Sequence, residues 1–289
     1  VKASLAENHH TVVSIFVNPA QFAPTEDLAT YPRTLESDLA ALSSLADSSD
    51  PTASKGVSAL FLPPVDALYP SGITTDVSKQ RGAFVEVKGL QEVMEGKSRP
   101  GFFRGVATVV IKLFNLVQPT RAYFGQKDIQ QALLLRRMLL DLHVPAPLSH
   151  NLVILPTFRD SASHLALSSR NAYLSASERP FATVLVDALE AAQRVWDAQR
   201  GSTASAGAVR VGDVLAAASL HVAAVVPRAT AAGVYVSPLY FALNDPEELG
   251  DLEGEVQQGR GAILSGAVML GRTRLIDNLV FDYELNPRP

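Results

Sequence analysis

Between residues 11 and 155 the sequence alternates short β-branched runs with longer segments of helical periodicity, and this alternation most constrains the fold. Thr11–Val17 and Val57–Leu62 have the composition of buried strands, and leucines at helical spacing occupy residues 33–46 between them. The pattern continues with helical segments at 105–117 and 129–142 and with short strands at 121–124 and 152–155. Strands joined by helices favour a parallel arrangement. We therefore predict a Rossmann-like, doubly wound parallel sheet.

The pattern changes near residue 156. Ala-rich helical segments follow, and strand-like runs come later, near 234–236, 261–269 and 273–280. This order is typical of an α+β domain. We predict two domains: residues 1–157 form the Rossmann-like domain, and residues 158–289 form a smaller α+β domain. The Ser-rich, Pro-containing segment 47–55 is predicted to be a surface loop.

The charge balance and the absence of cysteine exclude several classes of function. The net charge at pH 7 is −4 and the basic residues are scattered along the chain, so nucleic acid is not an expected partner. The chain has no cysteine, which excludes disulfides, thiolate nucleophiles and zinc–thiolate sites. No uninterrupted apolar stretch has the length of a membrane span, and residues 1–10 lack the pattern of a signal peptide. We therefore expect a cytoplasmic protein without a membrane partner.

Three unusual segments are predicted to lie at the carboxyl-terminal edge of the sheet, at residues 16–22, 124–131 and 165–171. In open α/β sheets ligands bind beyond the carboxyl ends of the strands, where free amides favour anionic groups. No Walker motif is nearby, so a bound triphosphate would contact the cations of Lys127 and Arg170, hydroxyls such as those of Ser168 and Ser169, and backbone amides. Such a set, together with a divalent metal, suits the catalysis of nucleotidyl transfer.

Two glutamines in these segments are candidate ligands for a small polar acid. Gln21 and Gln131 each offer amide donors and an acceptor, which suit a hydroxyl and a carboxylate. Simpler interpretations stay open: Asp128 and Gln131 have capping-box spacing, Lys127 alone is typical of a solvated loop, and Asn18 precedes a proline in a turn signal. The six histidines show no metal-ligand spacing, and the sequence assigns no metal ligand.

Six segments in chain order resemble the pantothenate synthetase family, whose members condense pantoate with β-alanine. The matching segments are VVSIFVNPAQF, YPRTLESDLAAL, EGKSRPGFFRGVATVVIKLFNLVQP, AYFGQKDIQQ, LALSSRNAYLS and TRLIDNL. Several long motifs in order are far more specific than one short pattern. The resemblance implies a Rossmann-like fold of nucleotidyltransferase type and a homodimer. It also implies a ligase of the coenzyme A pathway that needs ATP and Mg²⁺.

The resemblance further implies the reaction and the residues that serve it. Pantoate attacks ATP to form pantoyl adenylate and pyrophosphate, and β-alanine then displaces AMP. The implied ATP-binding residues are Gly125, Gln126, Lys127, Asp128, Phe158, Leu167, Ser168, Ser169 and Arg170, and the catalytic candidates among them are Lys127, Ser168, Ser169 and Arg170. The implied pantoate and β-alanine ligands are Gln21 and Gln131, with Asn18 and Arg99 as additional candidates.

The chain also departs from the family pattern. Family members carry a Met-Gly-x-Leu-His-x-Gly-His segment before the strand that corresponds to Thr11–Val17; this segment is absent here, and His9 and His10 do not take its place. Phe102 stands where many members have histidine, and residues 160–164 differ from the usual Asp-Gly. Three hypotheses stay open: an enzyme without its N-terminal segment, a non-catalytic homologue that binds only nucleotide or a partner, and an enzyme for another acid. The Ser-rich loop and the Ala-rich C-terminal part favour a eukaryotic, fungal-like member.

Overall fold

The computed structural model describes residues 1–46, 56–202 and 207–287, so the surface loop predicted at 47–55 lies outside the described residues. The helices are α1 (Lys2–Glu7), α2 (Leu35–Ser43), α3 (Val65–Leu68), α4 (Glu95–Ser98), α5 (Phe102–Val117), α6 (Ile129–Asp141), α7 (Val184–Arg200) and α8 (Val211–Ala231). The strands are β1 (Val12–Ser14), β2 (Ala59–Phe61), β3 (Ala122–Gly125), β4 (Leu152–Leu155), β5 (Val209–Arg210), β6 (Val236–Asn244), β7 (Glu255–Val256), β8 (Ala262–Leu270) and β9 (Thr273–Phe281).

Contacts divide the chain into two compact units. The first unit comprises Val1–Tyr123 and Leu134–Leu152, and the second comprises Phe124–Leu133 and Val153–Pro289. The turn that carries Lys127 therefore groups with the C-terminal part of the chain. The division into domains after residue 157 stays a prediction.

The first unit contains the parallel strand pair that the N-terminal pattern predicts. β1 and β2 run parallel, with Val13 opposite Leu60, and α2 lies between them in the chain. Elsewhere in the chain, a second two-stranded sheet pairs β3 with β4. Together with the intervening helices, these pairs confirm the predicted α/β class. β1 and β2 are shorter than the predicted segments because only their central residues have a partner strand in register.

Helix α5 is placed by the chain conformation at its two ends. It begins after Gly101, whose φ of +82° suits a residue without a Cβ, and it ends at Gln118, also left-handed, just before Pro119. Its buried face is nearly continuous and contains Phe103, Gly105, Val106, Ala107, Thr108, Val109, Val110 and Phe114. This face supplies much of the apolar core of the first unit and brings α5 against the Pro19–Gln21 turn.

The second unit is built on an antiparallel sheet with strand order β6–β8–β9. β8 is buried along almost its whole length because it is the central strand of that sheet. α7 packs on the sheet, and the ring of Trp196 stacks on Phe281 at 4.6 Å between centroids. β6 is much longer than the strand predicted at 234–236. The predicted strand is too short because Pro238 and the register shift beside it interrupt the alternating pattern that marks a strand in the sequence.

Helix α8 corrects the expectation that no segment is long and apolar enough to span a membrane. Its 21 residues pass that test by length and composition. The helix nevertheless packs against α7 and β6, and it buries Val214, Ala218 and Val222 in the core of the second unit. Core helices of water-soluble proteins pass the same test, so α8 is weak evidence for a membrane.

Candidate active site

In the first unit, the end of β1 leads to Asn18, whose side chain is 4% exposed and fully hydrogen-bonded. Asn18 Oδ1 accepts from the Tyr69 hydroxyl at 2.6 Å and from the amide of Ala20 at 3.4 Å. Asn18 Nδ2 donates to Gln21 Oε1 at 2.9 Å and to the Gly105 carbonyl at 3.1 Å. Because every donor and acceptor of this amide is used, Asn18 hydrogen-bonds only to neighbouring residues and has no spare group for a ligand.

The contact with Asn18 decides how Gln21 presents its own amide. The Gln21 oxygen is engaged by Asn18 Nδ2, so its nitrogen remains as the donor that a substrate oxygen can accept from. Burial raises the pKa of Tyr69 to about 12, against the opposing effect of its hydrogen bond to Asn18. The Tyr69 hydroxyl therefore stays protonated at neutral pH and continues to donate to Asn18 Oδ1.

Close approach of α5 to the Gln21 turn depends on Gly105. A Cβ on Gly105 would lie 2.5 Å from the carbonyl carbon of Ala20 and 2.7 Å from the amide nitrogen of Gln21. Both are backbone atoms that cannot move aside as a flexible side chain would, so only glycine permits this packing.

Arg99, also in the first unit, is paired with a carboxylate. Its guanidinium donates to both oxygens of Glu26, at 2.8 and 2.9 Å, and lies 3.6 Å from the centroid of the Phe102 ring. The two charged side chains are 22% and 25% exposed. A substrate anion would have to compete with this bidentate ion pair for the guanidinium.

In the second unit, β3 ends at Gly125 and a 3₁₀ turn of Gln126–Asp128 leads directly into α6. Lys127 lies in this turn with its side chain 19% exposed, and its ammonium is 4.0 Å from Asp128 Oδ1. Gln131 follows in the first turn of α6. The predicted ATP-binding residues of this segment are thus contiguous on one short turn, with a cation held near the protein surface.

The second predicted ATP-binding segment is a tight hairpin in the same unit. The Leu167 amide donates to the Phe158 carbonyl at 2.9 Å, and both side chains are exposed, at 64% and 56% for Phe158 and Leu167. Ser168 then caps the 3₁₀ turn Ser169–Tyr173 by accepting from the Arg170 amide at 3.3 Å. The hairpin presents two apolar side chains immediately beside the Ser-Ser-Arg sequence.

Two buried oxygens flank this hairpin without a hydrogen-bond partner among the described residues. They are Thr157 Oγ1 and Asn171 Oδ1. An unsatisfied buried polar atom is costly, so such atoms indicate a place where a ligand or water completes the hydrogen bonding. Both atoms adjoin the segment that the sequence predicts for nucleotide binding.

The described residues do not form a resident metal centre. No group of three or more His, Cys, Asp or Glu side chains in that part of the chain could hold a metal ion. Asp38, in helix α2, accepts a hydrogen bond from Thr34 Oγ1 at 3.3 Å.

Several structurally central residues were not singled out by the sequence patterns. No local signal in the sequence marks Tyr69, and Gly105 begins a stretch that predicts only a helix. Asp277 and Asn278 had one available signal, because two consecutive polar residues interrupt the apolar strand TRLIDNL. Both residues are buried, at 4% and 2% exposed, and their polar side chains therefore need partners in the fold.

Comparisons with known proteins agree along almost the whole chain. The family model "Pantoate-beta-alanine ligase" matches residues 1–280. The pantothenate synthetase of Herpetosiphon aurantiacus is 43% identical over 280 residues, which cover 97% of this chain and 87% of the relative. The crystal structure of pantothenate synthetase from Thermus thermophilus has a TM-score of 0.75 at 41% identity and covers 96% of this chain and 86% of that one.

A third similar protein was solved with ligands. It is the pantoate–β-alanine ligase of Francisella tularensis, complexed with β,γ-ATP and β-alanine, with a TM-score of 0.61 at 27% identity over 96% of this chain and 82% of that one. These similarities are to ligases that form an amide bond, and they extend over both units. The chain belongs to the pantoate–β-alanine ligase family.

Proposed function

We propose that this protein condenses (R)-pantoate with β-alanine in two steps through pantoyl adenylate. In the first step a pantoate carboxylate oxygen attacks the α-phosphorus of ATP, and the bond to the β-phosphate breaks to release pyrophosphate. In the second step the β-alanine amine attacks the acyl carbon, a C–N bond forms, the C–O bond to AMP breaks, and the amine proton passes to solvent. The observation that carries this proposal is the family match over residues 1–280, which includes every candidate site residue.

For the first step we assign the nucleotide to residues of the second unit. Lys127, Ser168, Ser169 and Arg170 stabilise the negative charge that develops on the phosphates. Gly125, Gln126 and Asp128 form the turn that presents Lys127. The exposed apolar side chains of Phe158 and Leu167 suit the faces of a nucleobase, and Asn171 Oδ1 is an unused acceptor for a base amino group. The ligand named for the Francisella complex supports this assignment.

Pantoate is assigned to the two glutamines. The Gln21 nitrogen is the donor left over after Asn18 engages the oxygen, which suits a carboxylate or hydroxyl oxygen of the acid. Gln131 is assigned the same role. Asn18 serves by orienting Gln21, and Arg99 contributes only when an anion displaces Glu26.

Several broader properties belong to the same proposal. Mg²⁺ enters as the magnesium complex of ATP, because the described residues offer no carboxylate cluster. The protein works as a cytoplasmic homodimer, and residues 1–157 and 158–289 act as the two domains of the catalytic cycle. The Ser-rich loop and Ala-rich C-terminal part point to a fungal-type member; a bacterial source for this chain would contradict that point.

Pantoate-dependent release of AMP in the presence of ATP, Mg²⁺ and β-alanine tests the proposal, with the Herpetosiphon relative as positive control. We expect release with pantoate and none with other hydroxy acids at equal concentration. Activity with an unrelated acid alone would support the related enzyme for another acid. ATP binding without AMP release, in a sample whose control is active, would support the non-catalytic homologue.

A further inference from the structure

We propose that Asp277 and Asn278, two adjacent residues of β9, are positioning residues that hold both nucleotide-binding segments of the second unit on one strand. Asn278 fixes the backbone of the turn that carries Lys127, and Asp277 fixes the hairpin that carries Phe158 and Leu167. This inference rests on the proposed function for the role of those segments, whereas the contacts themselves do not.

The Asn278 side chain binds backbone carbonyls of the turn that carries Lys127. Its Nδ2 donates to the Gln126 carbonyl at 2.9 Å and to the Lys127 carbonyl at 3.0 Å, and its Oδ1 accepts from Gln126 Nε2 at 3.3 Å. Two consecutive carbonyls bound to one amide nitrogen leave the peptide plane between Gln126 and Lys127 little freedom to rotate. Because Asn278 is only 2% exposed, water cannot easily substitute for it.

Asp277 holds the other segment through Arg159. The Arg159 Nη1 atom donates to Asp277 Oδ2 at 2.6 Å, while Asp277 Oδ1 accepts from the Asn278 amide at 2.9 Å. Arg159 follows Phe158 directly and pairs with Ala166 across the hairpin, so the ion pair fixes the strand that presents Phe158. The Asp277 side chain is 3% exposed and the Arg159 side chain 22% exposed, which places the carboxylate in a poorly solvated position where charge pairing is strong.

The two anchors are joined by one fully paired strand of the antiparallel sheet. β9 pairs over its whole length with the buried strand β8, with Asp277 opposite Gly266 and Asn278 opposite Ser265. β9 also packs against both 3₁₀ turns, Gln126–Asp128 and Ser169–Tyr173. Positions on one paired strand keep a fixed separation, so the Lys127 turn and the Phe158 hairpin are held at a fixed distance from each other. Preorganised placement of a cation is what electrostatic catalysis requires.

The test replaces Asn278 and uses Asn244 as a matched control. Asn244 lies on β6 of the same sheet, is 0% exposed, and also makes three side-chain hydrogen bonds, to the Leu249 carbonyl, Asp251 Oδ1 and Ser265 Oγ. It contacts neither nucleotide-binding segment by these bonds. Asn278→Ala and Asn244→Ala therefore remove comparable interactions from one core, and only the first frees the Lys127 turn.

The first readout is amide hydrogen exchange of the peptide that covers residues 124–133, with no ligand present. We expect exchange there to accelerate at least about tenfold in Asn278→Ala, the change that corresponds to losing roughly 1.4 kcal/mol of local protection. Asn244→Ala should leave this peptide unchanged. Equal acceleration in both variants, or none in Asn278→Ala, overturns the proposal whatever the catalytic activity.

The second readout is the kinetics of pantoyl adenylate formation without β-alanine. Asn278→Ala should raise KM for ATP and lower kcat, together by about tenfold or more in kcat/KM, while KM for pantoate stays within about twofold of the native value. Asn278→Asp is equal in size but has no N–H donors. It should lower kcat/KM for ATP at least as much as Asn278→Ala, because its carboxylate faces two carbonyls. An Asn278→Asp variant with native KM for ATP contradicts the proposal.

If the Asn278 variants do not fold, Arg159→Gln tests the other anchor from a partly exposed side chain. It should accelerate exchange in the peptide covering residues 157–167 and raise KM for ATP, and an unchanged exchange rate there overturns the proposal. A native protein that forms no adenylate, with the expected exchange pattern intact, refutes the proposed function and leaves the structural anchoring in place.

Discussion

The two units each contain one buried asparagine beside candidate site residues, and the two asparagines work differently. Asn18 lies three residues from Gln21 and donates to its side chain, so it selects which end of a neighbouring amide is presented. Asn278 lies 151 and 152 residues from the Lys127 turn and donates to backbone carbonyls, so it fixes the chain itself. A contact between near neighbours thus orients the Gln21 side chain, whereas a strand distant in the chain holds the Lys127 turn.

The largest effect is expected when the cation on the anchored turn is removed. Lys127→Met keeps the side-chain length but loses the charge, so pantoyl adenylate formation should slow about 10²- to 10³-fold. KM for pantoate should change little, because pantoate is assigned to the glutamines. Pyrophosphate release without β-alanine measures both quantities. Lys79→Met is the control, since that side chain is 77% exposed; an equal loss in both variants would sink the assignment of Lys127.

The next prediction concerns the turn that carries Gln21, against which helix α5 packs at Gly105. Gly105→Ala places a methyl group against the backbone of Ala20 and Gln21, so we expect a loss of about 1–3 kcal/mol in the free energy of unfolding and a raised KM for pantoate. Gly212→Ala, in α8, is the matched helical control because its Cβ meets no atom within 4 Å. Urea unfolding compares the two, and equal stabilities would show that the turn yields easily.

Replacement of Asn18 should raise KM for pantoate and not KM for ATP, which is the opposite of the result expected for Asn278. Asn18→Leu leaves the Gly105 carbonyl and the Tyr69 hydroxyl without their partner, at a cost of about 1–3 kcal/mol. Because Gln21 is then free to rotate its amide, KM for pantoate should rise while KM for ATP stays native. A rise in KM for ATP of similar size would erase the distinction between the two asparagines.

The smallest effect is expected at Tyr69 and depends on pH. Its pKa is raised to about 12 by burial, so folding favours the protonated hydroxyl. The contribution of this pKa shift to the free energy of unfolding is complete below pH 10 and is lost as the pH rises through 12. The loss reaches about 1 kcal/mol by pH 11. Tyr69→Phe should lack this loss, although Lys112, 4.6 Å from the ring centroid, titrates in both proteins. Identical pH profiles of unfolding between pH 9 and 11 would contradict the prediction.

Much of the fold could be predicted because hydrophobic periodicity is a local property. The segment 152–155 is the observed β4, and residues 129–142 contain α6 almost unchanged. Irregular strands were the exception: β6 extends to Asn244 through Pro238 and a register shift, which a period-two pattern cannot reveal. The apolar length of α8 was also misjudged, since the helix passes the composition test for a membrane span.

By itself the sequence determined the alternating elements, the family resemblance and the identity of the candidate ligands, because each depends on residues close together in the chain. Only the tertiary structure decided what those ligands can do. It pairs Arg99 with Glu26, leaves Gln21 with a nitrogen donor, and places the Lys127 turn on Asn278. The Arg99–Glu26 and Lys127–Asn278 contacts join residues 73 and 151 positions apart. Asn18 lies only three residues from Gln21, but its own side chain is held by Tyr69 and Gly105, which are 51 and 87 positions away. Packing forms these distant contacts, and no local pattern reveals them.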